Sequence, residues 1–161
     1  MERVQKILEH TLFRELYDKL YQAEKNRIFC RHTMEHFLDV ARLMYIYCLE
    51  DNAEIPKEMI YAAALLHDIG RYEQISKGTP HDEASAGIGE IIMQDCGFDE
   101  TEIRRIRKAI LGHRTAKSLE NEDRLTVYLY RADKKSRNCF SCPSRTECDW
   151  PAEKKNLRIE Y

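Results

Sequence analysis

His67 and Asp68 close Ala62-Ala63-Ala64-Leu65-Leu66, the most apolar helical stretch of the sequence. A charge beside a buried helix end is costly unless it is paired or bound to a cation. His36 lies four residues before Val40 and eleven before Tyr47, on the inward stripe of a second segment. Asp133 follows Leu125, Tyr128, Leu129 and Ala132 and also points to the interior. His81 opens one further helical segment and His113 ends another. Imidazoles and carboxylates from different helices converge in bundle cores, where metal sites are built. A mixed nitrogen and oxygen set suits Fe, Mn, Zn, Ni or Co. Each residue also has a plainer reading. A buried His is often a hydrogen-bonded core group, His81 could cap its helix, and His113 could sit as a cation at a helix C-terminus. His32 lies one helical step before His36, so the two face the same way, and an HxxxH pair can bind a metal by itself.

The cysteines form two groups. Cys48 and Cys96 fit small buried hydrophobes. Cys139-Phe-Ser-Cys142 followed by Cys148 is different, because CxxC lets two thiolates reach one metal from a tight turn. A closed structural zinc site needs a fourth ligand, for which Cys30 and Asp149 are candidates. Free thiols in an ordered tail and a labile iron–sulfur or redox site are the competing readings. Phe140 and Trp150 could anchor this tail onto the bundle.

The elements that must position these groups read as helices throughout, and the fold class is all-α. Val4, Ile7, Leu8, Leu12, Leu16 and Leu20 give an amphipathic helix over about 3–25. Further helices are expected over 31–49, 56–67, 80–97, 99–112 and 121–136, about six in all. No segment alternates with period two between turn signals, so no strand is expected. After Arg137 the pattern dissolves into polar residues, cysteines and prolines. One bundle over 1–137, with a short irregular Cys-rich extension over 138–161 packed on it, is the expected organisation.

His36-Phe-Leu-Asp-Val-Ala41, His67-Asp68-Ile69-Gly70 and Tyr130-Arg-Ala-Asp133-Lys134 resemble the H…HD…D pattern of the HD-domain metal-dependent phosphohydrolase superfamily. His81-Asp-Glu-Ala-Ser-Ala86 and Ala109-Ile-Leu-Gly-His113-Arg114 resemble motifs of its two-metal branches. The resemblance covers about 31–137 and implies an HD-type helical bundle. It implies that His36, His67, Asp68 and Asp133 bind one metal. His81 and His113 would complete a second site with Asp68 bridging. His36 matches the family spacing to Val40-Ala41, which leaves His32 as an outer acid or base or a substrate-facing group. The implied cofactors are one or two divalent transition metals, Fe, Mn, Ni, Co or Zn. The implied reaction is hydrolysis of a phosphoester or phosphoanhydride by metal-bound hydroxide, oriented by Asp68, since a metal brings the pKa of bound water from 15.7 toward roughly 7. The implied substrate is a nucleotide-like or other small phosphorylated metabolite. Bacterial diadenosine polyphosphate hydrolases share this ligand set, but the Cys-rich tail is extra here. The alternative is a non-catalytic regulatory module that senses a nucleotide or metal, its tail serving a partner or redox response.

Charge refines the picture locally. The 26 basic and 28 acidic residues give a net charge of −2, which offers no global attraction to nucleic acid or a membrane surface. Ile103–Lys117 nevertheless holds Arg104, Arg105, Arg107, Lys108, Arg114 and Lys117 with no acid. Most of these belong to a solvated face, with Glu100 placed to pair Arg104 and Glu102 to pair Arg105. Arg71 after the HDIG turn, Arg114 and Lys134 directly after candidate ligands, and Arg137 one turn beyond Asp133 are the candidates to hold substrate phosphate. No GxxxxGK[ST] loop is present, so this is not a P-loop NTPase. Met59–Leu66, the longest apolar run, is far short of the roughly 20 residues of a membrane span. Met1–Leu20 has no apolar h-region. A cytoplasmic protein with reduced thiols is expected, and small bundles of this kind often pair as homodimers.

Overall fold

The computed structural model describes residues 1–114 and 122–159, so Lys117 and Asn121 lie outside the described residues. The described residues form α-helices, short 3-10 turns and no strand. The helices are α1 (Glu2–Glu9), α2 (Thr11–Ala23), α3 (Met34–Glu50), α4 (Lys57–Leu66), α5 (Arg71–Lys77), α6 (His81–Asp95), α7 (Glu100–Gly112) and α8 (Arg124–Lys135). None is long and apolar enough to cross a membrane.

The α4 helix is the axis. It touches α1, α3, α6, α7 and α8, and Met59, Ile60 and Ala62 through Leu66 are all buried. Three consecutive alanines make this possible, because neighbouring helices approach a slim helix closely while Leu65 and Leu66 fill the gaps between them. Helix α3 packs on α4 and α8, and α7 on α6 and α8, so the helices carrying the candidate ligands surround the end of α4.

Two expectations about elements are corrected. The single first helix over 3–25 is two helices, because His10 adopts an extended backbone with ψ 129°. Its ring turns back to accept from the Leu12 backbone N–H at 3.2 Å, which starts α2 with a side-chain cap. His10 therefore has a structural role, and its Nε2 also meets Asp95 at 3.1 Å. The second correction is α5, a short helix between the HDIG turn and α6 that the sequence pattern did not suggest. It ends on Gly78, whose φ of 78° is the left-handed conformation that favours glycine. Helix α7 matches its expected start, with Asp99 and Glu102 forming a capping box.

Gly70 matters for another reason. A Cβ at this position would lie 2.4 Å from the Ser85 backbone nitrogen and 2.7 Å from Ala84 Cβ. The turn after α4 thus rests directly on the first turns of α6, and Gly70 N–H donates to Ser85 Oγ at 2.9 Å. That contact sets the distance between the His67-Asp68 pair and His81.

The tail after α8 lies against the bundle. Asn156 Nδ2 donates to the carbonyls of Lys134 and Arg137 at 2.6 and 2.9 Å. Ser144 Oγ donates to the Ile28 carbonyl at 2.8 Å, tying the tail to the α2–α3 connection.

Candidate metal centre

The HD pair stands where α4 stops. His67 caps the helix C-terminus and its Nδ1 lies 2.7 Å from the Ala64 carbonyl. A carbonyl can only accept, so this nitrogen carries the proton and Nε2 turns inward. Four other histidines follow the same scheme. His113, at the end of α7, places Nδ1 2.5 Å from the Ile110 carbonyl. His32 places Nδ1 2.8 Å from Glu24 Oε1. His81 places Nδ1 2.7 Å from Gln74 Oε1, with the Arg71 guanidinium 3.0 Å from the same nitrogen. His36 Nδ1 meets Ser136 Oγ at 3.1 Å, and that hydroxyl donates to the Asp133 carbonyl at 3.0 Å, which leaves it to accept from His36. Anchoring one ring nitrogen so that the other is presented is how proteins orient metal-binding imidazoles.

The five presented nitrogens surround two carboxylates. Asp68 Oδ2 lies 3.1 Å from His67 Nε2, 3.4 Å from His32 Nε2 and 4.0 Å from His36 Nε2. Its other oxygen, Oδ1, lies 3.2 Å from His81 Nε2 and 3.8 Å from His113 Nε2. Asp133 Oδ1 is 3.5 Å from His36 Nε2 and 3.7 Å from His67 Nε2. Two sets have donor atoms that all fall within 4.8 Å of one another: His36, His67, Asp68 and Asp133, and Asp68, His81 and His113. Asp68 belongs to both, one oxygen to each side. All six residues are buried.

Several of these atoms lack what a buried polar atom needs. Among the described residues, His67 Nε2 and Asp68 Oδ1 make no hydrogen bond, although Asp68 Oδ2 faces that nitrogen at 3.1 Å. His81 Nε2 and His113 Nε2 face each other at 3.2 Å, and the His113 ring already holds its proton on Nδ1. Two lone pairs at that distance repel unless a proton or a cation lies between them. The chemistry of both sets fits divalent transition metals, with imidazole and carboxylate as ligands.

Charge follows from burial and neighbours. Burial pushes the His36 and His81 pKa values down to about 3, holding both rings neutral. Burial opposes charge on His67 too, but the Asp68 and Asp133 carboxylates overcome it and raise its pKa to about 10. Asp68 and Asp133 are pushed up by burial, yet the surrounding histidines hold both well below the usual carboxylate range.

The site opens into a cavity of about 470 Å³. Arg71, Arg114, Lys134 and Arg137 all line it, together with His32, Asp68, His81, His113 and Asp133. Each of the four cations also has a protein partner. Arg71 reaches Gln74 Oε1 at 3.0 Å, and Arg114 pairs Asp82 at 2.9 Å. Lys134 pairs Asp133, and Arg137 donates to the Arg31 carbonyl at 2.8 Å while its other nitrogen meets His36 Nε2 at 3.0 Å. The other basic residues of α7 stay on the surface. Arg104 pairs Glu100 as expected, but Arg105 pairs Asp123 instead of Glu102, which is held by Arg3 and the Asp99 cap.

Sequence reasoning missed Glu24, Gln74 and Ser136, the groups that orient His32, His81 and His36. Glu24 is 3% exposed, and burial of such an acid is the signal of its task, but no spacing rule links it to His32. Phe29, Trp150 and Lys154 also line the cavity, placed there by the α2–α3 connection and the tail.

A family model of the HD domain matches residues 33–138. An uncharacterized protein of Clostridium beijerinckii is 45% identical over 161 residues, covering 100% of both chains. No solved structure matches. The matched segment runs from the first turn of α3 to the start of the tail and includes all six residues of the two donor sets. On that match, and on the order in which His36, His67-Asp68, His81, His113 and Asp133 occur along it, the chain belongs to the HD metal-dependent phosphohydrolase superfamily.

Proposed function

We propose that this protein is a metal-dependent phosphohydrolase that cleaves a phosphoester or phosphoanhydride of a nucleotide-like or other small phosphorylated metabolite. The observation that carries the reading is the unfinished polar centre: five imidazoles anchored through Nδ1, with His67 Nε2 and Asp68 Oδ1 left without hydrogen bonds among the described residues. His36, His67, Asp68 and Asp133 would hold one divalent metal, and Asp68, His81 and His113 a second. Such an ion supplies Lewis-acid charge to a phosphoryl oxygen and makes water a nucleophile near neutral pH.

The residues of the chain do the rest. Asp68 Oδ1 and Oδ2 face different histidine sets, so its carboxylate fixes the attacking water between them and accepts a hydrogen bond from it. His32 Nε2, 3.4 Å from Asp68 and oriented by Glu24, is placed to take or return a proton at the cavity wall. Arg71 and Arg114 line the cavity as forks for phosphate. Lys134 and Arg137, now spent on Asp133 and His36 Nε2, are the cations that extra positive charge in the centre would release toward a phosphate. Phe29 and Trp150 give the cavity flat apolar surface that suits a nucleobase or another planar group. The cytoplasm is the compartment we assign to this activity.

The test is metal content of protein purified without added metal, followed by assay of phosphomonoesters and phosphodiesters with Mn, Fe or Co, beside Asp68→Ala. Turnover that depends on metal and on Asp68 is the expected result. Metal bound without Asp68-dependent turnover makes the protein a sensing module, and failure of the wild type to bind metal removes both readings.

A further inference from the structure

Four of the six cysteines come together beside the His/Asp centre, outside its two donor sets. Cys30 belongs to the α2–α3 connection, and Cys139, Cys142 and Cys148 belong to the tail. More than a hundred residues separate Cys30 from the others in sequence, yet it shares one cavity wall with Cys139 and Cys142 and another with Cys148. The first of these is a small cavity of about 210 Å³ that His36 and Arg137 also line. Burial pushes the Cys30 thiol up, and the three tail cysteines act on it in the same direction while Arg137 opposes. All four are free thiols.

The backbone around them is fixed as a ligand loop requires. Cys139 opens a 3-10 turn that returns the Cys142 N–H to the Cys139 carbonyl at 3.3 Å, so the CxxC thiols leave one tight turn. Arg145 N–H then bonds the Cys142 carbonyl at 3.2 Å, and Lys155 Nζ bonds the Arg145 and Cys148 carbonyls at 3.1 and 3.0 Å. Arg27 Nε holds the Cys30 carbonyl at 3.0 Å, and Ser144 fastens the loop to Ile28. A tail with little core of its own is thus laid around four thiols.

We propose that Cys30, Cys139, Cys142 and Cys148 bind an iron–sulfur cluster that fastens the tail to the bundle and forms one wall of the substrate cavity. Thiolate-only sets select zinc, copper(I) or iron–sulfur clusters, and four cysteines complete the ligation of either zinc or a cluster. Spacing separates the two. A tetrahedral zinc ion with Zn–S of about 2.3 Å draws its sulfurs to about 3.8 Å of one another. Among the described residues the donor sets that close within 4.8 Å are the two His/Asp groups, and no three thiols do so. A [4Fe–4S] cluster, whose four irons each take one thiolate, spans the wider arrangement. Trp150 and Asp149 follow Cys148 directly and line the cavity of the His/Asp centre, so the cluster holds them there.

The experiment is anaerobic purification of the full chain from iron-supplied cells, with assay of iron, zinc and acid-labile sulfide and the visible spectrum. Sulfide is the decisive quantity, because iron at the His/Asp centre brings none. Wild-type protein is expected to carry sulfide and broad thiolate-to-iron absorption. Both are expected to be lost in Cys142→Ser and Cys30→Ser and kept in Cys96→Ala and Asp68→Ala, with helical circular dichroism unchanged in all four. The single tryptophan gives a second reading: Trp150 emission is expected to shift to longer wavelength in Cys142→Ser as the tail loosens. Zinc without sulfide overturns the cluster, sulfide retained in Cys30→Ser overturns the four-thiolate site, and sulfide absent from the wild type overturns the proposal while leaving the phosphohydrolase reading intact.

Discussion

Arg3 and Asp68 are both charged side chains held within the protein, at 25% and 4% exposure, and their surroundings differ in kind. The Arg3 guanidinium is matched on every side. Its Nε donates to Glu58 at 2.7 Å and its two terminal nitrogens to Glu102 at 2.5 and 3.0 Å. Its flat face lies 4.2 Å from the centre of the Phe98 ring. Two carboxylates, one guanidinium and a ring close on themselves and join α1, α4 and α7. The centre around Asp68 has five imidazoles and two carboxylates, and it does not close. Among the described residues, Oδ1 of Asp68 accepts no hydrogen bond, Nε2 of His67 faces carboxylate oxygens at 3.1 and 3.7 Å without a hydrogen bond, and two imidazole nitrogens confront each other. A polar cluster that satisfies itself stabilises a fold. One that is held rigidly in an unsatisfied state from every outer side is arranged around something that binds.

Asp68→Asn breaks the comparison most sharply. The amide keeps the shape but removes the charge shared by the two histidine sets. Phosphohydrolase turnover is expected to fall on the order of a thousandfold, corresponding to several kcal/mol of charge stabilisation, with metal content reduced. The melting temperature of the ion-free protein is the companion measurement. A fall in activity with metal retained in full would remove Asp68 from the shared position.

Gly70→Ala probes how the fold sets the centre. The new methyl meets the α6 backbone at 2.4 Å, which cannot move without carrying His81. Destabilisation of about 3 kcal/mol is expected from the overpacking, read by urea unfolding. The affinity of the Asp68-His81-His113 set should fall more than that of the other set. Equal loss at both sets would mean that α6 does not move as a unit.

Arg3→Ala tests the closed cluster. Loss of a charge-assisted pair that leaves Glu58 and Glu102 facing each other is expected to cost about 2 kcal/mol of stability. Turnover per folded molecule should not change, because none of the donor residues touches Arg3. A kinetic effect at full folding would show that the two clusters are coupled through α4.

The sequence was informative where chemistry and periodicity coincide. His36, His67, Asp133 and the start of α7 fall on inward stripes or caps that can be read one residue at a time. Asp68 in two sets at once could not be read from spacing, because it depends on the close approach of α6 to Gly70. Glu24 reaches His32 only after the chain has turned out of α2, and Gln74 reaches His81 only because α5 exists. Helix α5 has no buried residue, so it leaves no hydrophobic signature. The split at His10 was hidden because Leu8, Leu12 and Leu16 keep helical spacing across it.

Protons sharpen the comparison on the finest scale. His67 has its folded pKa raised to about 10, above the ordinary histidine value of about 6.5. In the ion-free protein its charge therefore contributes stability that is fully present below about pH 6.5 and is lost as pH rises through about 10. His36 and His81 run the other way. Their pKa values near 3 mean the unfolded chain takes up protons that the folded chain refuses, so their contribution is lost as pH falls from about 6.5 toward 3. A metal needs the His67 lone pair, so binding must expel its proton while His36 and His81 have none to give. Titration calorimetry of Mn or Co into ion-free protein at about pH 8, in buffers of different ionisation heat, is expected to show about one proton released per metal at the His36 set. The release should fade as pH passes 10. Release of none at pH 8 would mean that the His67 ring is neutral before the ion arrives, and that the Asp68 and Asp133 carboxylates are balanced by Lys134 and Arg137 instead. The Arg3 cluster offers no such release at any pH in this range, since Arg3 stays charged throughout.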